Sequence, residues 1–328
     1  MLERSDRIAR CDDGNPIADP ERTPGLGHPS MNIEHGLAYA ERHALQALVV
    51  DVAGEIVFEQ YAGGYDAGKP HALYSGTKSF WGVAAVAAAD DGLLELDEPV
   101  ANTFPAWAAD ARKRRVTLRE LLALTSGIGF GGLGNAVPTY ERALEVEIKD
   151  EPGERFTYGG IPLQIFGAVL AAKLAPRGGT PHDYLRTRIL EPIDVTVSSW
   201  RTLRDGTQPL PTGAFMTARE WLSYGRFILA DGEWNGAAVV ASQSVARCFV
   251  GSAPNPHYGL GWHLRPKAGA GDVVYGSGAG GQALYVVPSE RAVIVKFGAS
   301  SSYDHIAFLK RLLNDDEPPP RRRTTAKA

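Results

Sequence analysis

The chain has 328 residues, of which 44% are hydrophobic and 22% charged, and its formal net charge at pH 7 is -4. Such a chain is long enough to bury one large core or two lobes, and its mild acidity argues against a main partner that is nucleic acid. The two cysteines, Cys11 and Cys248, stand far apart and do not indicate a disulfide framework.

The two ends of the chain are predicted to be disordered. Residues 1–30 are rich in Pro, Asp and Arg and contain no apolar core of a signal peptide. Residues 317–328 contain three consecutive prolines followed by charged and small residues. No stretch reaches the length of a transmembrane helix. We therefore expect a disordered leader, a disordered tail, no membrane partner and a cytoplasmic location.

The first half of the chain predicts a hairpin followed by helices. The run "LQALVVDVAGEIVFEQY" is typical of two β-strands around a turn at Ala53-Gly54. A helix that contains Ser75 then continues through apolar residues and ends near Gly92. From about residue 100 to 245, segments such as "IPLQIFGAVLAAKL" and "TAREWLSYGRFILADG" have the apolar spacing and capping residues of helices.

After residue 255 the pattern changes back to strands. The runs "HYGLGWHLR", "GQALYVV" and "RAVIVKFG" predict strands separated by turns, and "YDHIAFLKRLLND" predicts a closing amphipathic helix. The economical fold is a mixed α/β structure in which an antiparallel sheet is built from both chain ends, flanked by helices, with an inserted all-helical lobe. We expect one catalytic domain over residues 31–316, with an α/β lobe at about 31–98 and 246–316 and a helical lobe at about 99–245.

The segment Ser75-Gly76-Thr77-Lys78 is a candidate nucleophile and base. One S-x-x-K arises by chance in roughly every second chain of this length, so the tetrapeptide alone is weak evidence. Its predicted position at the entry from a strand into a helix strengthens it, because helix N–H groups favour developing negative charge there. Lys78 lies one turn after Ser75, and burial at the start of an apolar helix favours a neutral lysine that can act as a base. A solvated lysine in a first turn is the alternative.

Four segments, in order, resemble the serine β-lactamase and penicillin-binding-protein superfamily, specifically the class C-related branch that includes many esterases. They are "YSGTKSFWGVAAVAAADDGLLELDEPV", "LRELLALTSGIGF", "PGERFTYGGIPLQIFGAVL" and "GSGAGGQALYVVPSERAVIV". The resemblance covers about residues 40 to 312, and it implies a β-lactamase/transpeptidase-like fold, an α/β sandwich with an all-helical lobe.

The resemblance also assigns roles to individual residues. It implies that Ser75 is the nucleophile, Lys78 its general base, and Tyr158 the second proton-transfer group, with a phenol pKa lowered by the nearby ammonium. It places the oxyanion hole at the backbone N–H groups of Ser75 and Ala279. It places the third, substrate-binding motif at the residues Gly276, Ser277 and Gly278.

Two positions depart from the family pattern. The family's Y-x-N reads Tyr158-Gly159-Gly160, which removes an asparagine that would be a polar partner for Lys78 and for a substrate amide. The third motif, commonly K-T-G or H-x-G, has no cation in this chain, although a shift of one position would put Tyr275 first. Both departures weaken the prediction that the substrate is a β-lactam, and both leave the predicted nucleophile in place.

Other motifs point to weaker alternatives. Formal G-x-G-x-x-G matches at Gly276/Gly278/Gly281 and Gly127/Gly129/Gly132 do not lie between a strand and a helix, so dinucleotide binding is disfavoured. The chain has no G-x-S-x-G elbow, and His71, although close to Ser75 in sequence, is expected to be a surface or structural residue. The histidines show no metal-ligand spacing, so neither a metal nor a cofactor is expected.

The sequence therefore predicts a serine hydrolase that cleaves a small-molecule ester or amide through an acyl-enzyme on Ser75. Two alternatives remain: a β-lactamase or D-amino-acid peptidase, and a non-catalytic binding relative that keeps an old hydrolase scaffold. The sequence does not indicate an oligomeric state.

Overall fold

The computed structural model describes residues 31–266 and 272–313. The predicted leader 1–30 and the tail 317–328 lie outside the described residues, as does Cys11. No helix in the described part of the chain combines the length and the apolar character that a membrane crossing requires.

The strands are short in the middle of the chain and long at its two ends. In chain order they are β1 (Leu45–Val52), β2 (Glu55–Tyr61), β3 (His71–Ala72), β4 (Ser199–Trp200), β5 (Ala214–Met216), β6 (Glu233–Trp234), β7 (Ala237–Ala238), β8 (His263–Pro266), β9 (Asp272–Gly278), β10 (Gln282–Val287) and β11 (Ala292–Gly298).

The main sheet joins the two ends of the chain, which confirms the predicted fold class. Its strand order is β2-β1-β11-β10-β9-β8, with every pair antiparallel. The β1–β2 hairpin turns at Ala53 and Gly54, whose φ angles are 55° and 91°. A two-residue turn with both φ angles positive matches the twist of the strands that it connects, as the sequence predicted.

The helices follow the predicted order. They are α1 (Ile33–Arg42), α2 (Ser79–Asp90), α3 (Leu118–Leu122), α4 (Tyr140–Leu144), α5 (Ile161–Leu174), α6 (Pro181–Leu185), α7 (Ala218–Leu229), α8 (Ser242–Ala246) and α9 (His305–Leu313).

Helices cover both faces of the main sheet. α7 packs on one face, where Gly225 lies directly against Leu284 and Val293. α1 and α9 pack together on the other face, joined by a hydrogen bond of 2.7 Å from the Asn32 N–H to the Leu312 carbonyl oxygen. Successive side chains of a strand point to opposite faces, so the buried strands β10 and β11 contribute to both layers of the core.

Two features of the structure differ from the prediction that residues 99–245 form an all-helical lobe. The short strands β3, β4 and β5 pair into a second sheet, and β6 pairs with β7; strands of two or three residues carry no periodic signal in the sequence. α7 lies within residues 99–245 and yet packs on the main sheet. The division into two lobes at the boundaries given above stays a prediction.

Lys296 is a buried lysine in the middle of the main sheet. It is 0% exposed, its Nζ lies 3.8 Å from the centroid of the Tyr303 ring, and it has no hydrogen-bond partner within residues 31–266 and 272–313. Burial lowers the pKa of Lys296 to about 7. A buried amine without a hydrogen-bond partner destabilises the folded state, because unfolding returns it to water.

We expect Lys296→Met to raise the melting temperature by several degrees. An unsatisfied buried polar group costs about 1–3 kcal/mol, and about 1 kcal/mol moves Tm by 2–4 °C in a domain of 150–250 residues. Since the pKa is lower in the folded than in the unfolded state, the unfolded chain binds more protons between about pH 7 and the ordinary lysine value. Wild-type stability from this residue therefore rises with pH above about 7, and the advantage of the methionine is largest at or below pH 7.

Scanning calorimetry of both proteins at pH 6.5 and 9.5 measures this difference. Lys173→Met is the matched control, because the Lys173 Nζ lies 2.9 Å from a carboxylate oxygen of Glu98. The control should gain no stability, and a lower Tm in Lys296→Met would contradict the prediction.

Candidate active site

Ser75 lies in a tight turn that leads into α2. Residues Tyr74–Lys78 form a 3-10 helix, and Tyr74 has a positive φ of 47°, a strained conformation for a residue with a side chain. A 3-10 helix has three residues per turn, so the side chains of Ser75 and Lys78 lie one above the other. The segment is held against the end of β9, where a side chain at Gly278 would collide with the Leu73 carbonyl oxygen.

Lys78 is the buried cationic residue closest to this serine among those described. Its side chain is 1% exposed, and its Nζ lies 3.0 Å from the Ser75 Oγ and 3.1 Å from the Pro211 carbonyl oxygen. Burial lowers the pKa of Lys78 to about 7. A large fraction of the amine is therefore neutral near neutral pH and can accept the hydroxyl proton.

Tyr158 closes the cluster from the loop before α5. The Lys78 Nζ lies 4.9 Å from the centroid of its ring. Burial raises the pKa of Tyr158, and the nearby Ser75 side chain opposes this rise only in part. The expectation that a neighbouring ammonium lowers this pKa is wrong, because Lys78 itself loses its charge by burial. The phenol is a protonated hydrogen-bond donor at neutral pH.

The missing asparagine of the second motif has a structural explanation. The loop that contains Gly132 lies so close to Gly160 that a side chain at 160 would collide with the Gly132 carbonyl oxygen. The same side chain would lie 3.1 Å from the Pro211 Cγ. The Gly132 carbonyl and Pro211 thus leave no room for a side chain at residue 160. The Pro211 carbonyl oxygen supplies the polar partner of Lys78 that the sequence appeared to have lost.

The Pro211 carbonyl is held in place by the two helices that frame the site. The Leu210 carbonyl oxygen accepts a hydrogen bond of 2.6 Å from the Trp81 Nε1 of α2, and the Leu210 N–H donates to the Gln164 Oε1 of α5 over 2.8 Å. Both bonds are buried. The loop therefore moves together with the helices that position Ser75 and Tyr158.

The third motif forms the end of β9 and faces the nucleophile. A side chain at Gly276 would lie 3.3 Å from Ser79 at the start of α2, whereas Tyr275 belongs to the core between the sheet and α9. The register that begins at Gly276 is thus the one that faces α2. Ala279 follows β9 in an exposed turn next to Gly278. Its part in an oxyanion hole, together with the Ser75 N–H, stays a prediction.

His263 reaches the site without any signal in the sequence. It begins β8, pairs with Tyr275 across the strands, and its Nε2 lies 3.1 Å from the Ser277 Oγ. Its ring stacks on Tyr158 with centroids 6.3 Å apart. Burial lowers the pKa of His263 to about 4, and Lys78 acts in the same direction. Only strand pairing brings this histidine to the third motif, so no local pattern could have found it.

His71 is structural. It is 3% exposed and is stacked between the rings of Tyr65 and Phe297, with centroids 4.1 and 4.0 Å away. Burial lowers the pKa of His71 to about 4. No hydrogen bond joins its ring to the described residues, so it does not pair with Ser75.

Comparisons with known proteins show the family and the fold of the chain. The Beta-lactamase family model matches residues 32–311. Protein flp of Staphylococcus aureus (strain COL) is 26% identical over 140 residues, and the match spans 39% of this chain and 28% of that protein. A D-stereospecific amidohydrolase from Streptomyces sp. has a TM-score of 0.68 at 16% identity over 85% of this chain and 98% of its own. A family VIII carboxylesterase has a TM-score of 0.65 at 15% identity, with 85% and 95% covered.

We expect the reaction of Ser75 with a fluorophosphonate to accelerate with pH, with a midpoint near pH 7. The ammonium form of Lys78 cannot accept the serine proton, so the rate should rise as pH passes the Lys78 pKa of about 7 and level off above it. The rate of labelling between pH 5.5 and 9, measured by intact-protein mass spectrometry, follows this rise.

Two variants identify the group that titrates. Lys296 has a similar pKa of about 7, so Lys296→Met should keep the midpoint while Lys78→Met should remove it and slow labelling by about 10² or more. A rate that is flat from pH 6 to 8, or a midpoint that moves in Lys296→Met, would exclude Lys78 as the base.

Proposed function

The chain belongs to the beta-lactamase family and is a serine hydrolase, and from that premise we propose that it cleaves a small ester or amide through an acyl-enzyme on Ser75. The observation that carries the proposal is the 3.0 Å contact between the buried Lys78 Nζ and the Oγ of the half-buried Ser75. That contact joins a hydroxyl to an amine whose pKa lies near 7, which is the requirement for an activated serine.

The first half of the reaction forms the acyl-enzyme. The Lys78 amine takes the proton of the Ser75 hydroxyl while Oγ attacks the substrate carbonyl carbon. The resulting oxyanion accepts hydrogen bonds from the backbone N–H groups of Ser75 and Ala279. The bond to the leaving group then breaks, and Tyr158 gives its proton to the departing oxygen or nitrogen. The Lys78 ammonium returns a proton to Tyr158, so no net charge is left.

The second half releases the acid. A water molecule takes the place of the leaving group beside Tyr158 and Lys78 and loses its proton to this pair as it attacks the acyl carbon. The C–O bond to Ser75 breaks, and the proton returns to the Ser75 Oγ. The same two proton carriers thus serve both halves of the reaction, as general acid–base catalysis requires.

Small esters fit this site better than β-lactams. Gly160 has no side chain to hold a substrate amide, and Gly276 supplies no cation for a carboxylate. An activated ester needs neither contact, because its leaving group departs with little assistance. The similarity to a carboxylesterase and to an amidohydrolase supports esters and amides as the substrate class. A β-lactamase, a D-amino-acid peptidase and a non-catalytic relative are the alternatives that the following measurements separate.

A fluorophosphonate should add one label to the folded protein, on the peptide that contains Ser75. Ser75→Ala should abolish the label, which peptide mapping by mass spectrometry detects. Ser79→Ala and Ser277→Ala are the matched controls, since both serines lie beside the site and neither contacts the Lys78 amine through a hydrogen bond of the structure. Labelling of Ser277, or the absence of any label, would favour a different nucleophile or a non-catalytic protein.

A short-chain p-nitrophenyl ester should be turned over at least about 10²-fold faster than a chromogenic cephalosporin. Each lost hydrogen bond to a charged or buried substrate group is worth about 1.5–3 kcal/mol, or one to two powers of ten in kcat/KM. Two such contacts are missing, at residues 160 and 276. Steady-state kinetics of one preparation with both substrates makes the comparison, and a faster cephalosporin would show that other residues supply those contacts.

A further inference from the structure

A cavity adjoins the site at Tyr158, which forms part of its wall. Its volume is about 400 Å³, within the range of small-molecule pockets, and Tyr158, His263 and Tyr275 form part of its wall. Tyr158 is the link between the cavity and the reaction, because its ring also lies 4.9 Å from the Lys78 Nζ. In the proposed reaction Tyr158 protonates the leaving group, so the leaving group departs next to a residue of the cavity wall.

The wall of this cavity is mostly aromatic and apolar, and besides His263 and the tyrosine hydroxyls its polar members are Asn255 and His257. Phe156, Tyr258, Leu264 and Ile306 contribute ring and aliphatic surface, and the rings of Phe156 and Tyr258 contact one another with centroids 5.2 Å apart. No Lys, Arg, Asp or Glu lines the cavity within residues 31–266 and 272–313. Such a wall favours a flat apolar group through burial of its surface and through ring contacts.

His263, in the cavity wall, is bonded to Ser277 of the third motif. Their side chains bond over 3.1 Å, and two arrangements of the protons are possible. If Nε2 carries the proton, the Ser277 hydroxyl is free to donate to a substrate oxygen; if Ser277 donates to Nε2, the Nδ1–H of the imidazole is the donor. Neither arrangement carries a full positive charge.

Burial and the neighbouring Lys78 keep the imidazole neutral. The pKa of His263 is lowered to about 4, well below the pH at which the serine is activated. A substrate carboxylate in this cavity would lose its hydration and receive only neutral hydrogen bonds in return, which is unfavourable. An uncharged oxygen, such as that of an ester or an amide, loses far less.

We propose that the His263–Ser277 pair and the aromatic cavity beside it select substrates whose leaving group is uncharged and aromatic, with a neutral oxygen bonded to the pair. The inference rests on the proposed function. It specifies the leaving group of the substrate, which the second and third motifs do not define. His263, a neutral histidine from the neighbouring strand, is bonded to Ser277 of the third motif and acts as a specificity-determining residue.

The test compares two esters that differ by one charge, methyl 4-acetoxybenzoate and 4-acetoxybenzoate, at pH 7.5. Each kcat/KM is divided by the rate of the same ester with hydroxide, which removes the difference between the two leaving groups. The neutral ester should be preferred at least about tenfold, since the anion gives up hydration without a charged partner. An equal rate, or a preference for the anion, overturns the inference.

Substitutions at the pair should change this preference in opposite ways. His263→Lys should improve the anionic ester relative to the neutral one by at least about tenfold, because it supplies the missing charge. His263→Gln keeps a neutral donor and should retain the wild-type preference. Ser277→Lys places the charge on the other residue of the pair, and it replaces His263→Lys in the test if that variant does not fold. If neither lysine variant changes the ratio of kcat/KM between the neutral and the anionic ester, the pair does not determine substrate specificity.

A binding experiment separates this inference from the proposed reaction. Isothermal titration of Ser75→Ala with methyl 4-hydroxybenzoate and with 4-hydroxybenzoate measures the cavity without catalysis. Tighter binding of the neutral phenol supports the inference even if no ester is cleaved, in which case the proposed function alone fails. Equal binding, or no binding of either phenol, overturns the inference whatever the activity.

Discussion

The candidate site depends on the exclusion of water from the Lys78 amine. A lysine in water has a pKa above 10 and is almost wholly charged near neutral pH, so it cannot take a proton from a serine. α2 begins directly after Lys78 and is buried along nearly its whole length, and this burial brings the pKa to about 7. The Pro211 carbonyl oxygen and the Tyr158 ring contact this amine in place of water.

The exclusion of water requires backbones to pack closely around the lysine, and glycines make this possible. A side chain at Gly261 would collide with the Lys78 carbonyl oxygen, and one at Gly160 with the Gly132 carbonyl oxygen. These glycines bring together segments that are far apart in the chain. The same close packing explains why the second motif has no asparagine, because the Gly132 carbonyl and Pro211 fill the space that its side chain would need.

The two buried lysines, Lys78 and Lys296, show why burial alone does not make a base. Both have a pKa lowered to about 7 by desolvation. Lys78 has a hydroxyl and a carbonyl within 3.1 Å, whereas Lys296 lies over the Tyr303 ring without a hydrogen-bond partner among the described residues. The first arrangement gives the amine a proton to accept, while the second only lowers the stability of the fold.

The sequence by itself determined the order of strands and helices and made Ser75 and Lys78 candidates, because periodicity and motif spacing are local. The antiparallel sheet followed as the economical arrangement of those elements, and Tyr158 became a candidate through the family resemblance. The tertiary structure decided what depends on distant segments. It brought His263 to Ser277 through the pairing of β8 with β9, supplied Lys78 with the carbonyl of Pro211, and reversed the expected pKa shift of Tyr158. Burial and cross-strand contacts are properties of the packed chain, and no stretch of neighbouring residues encodes them.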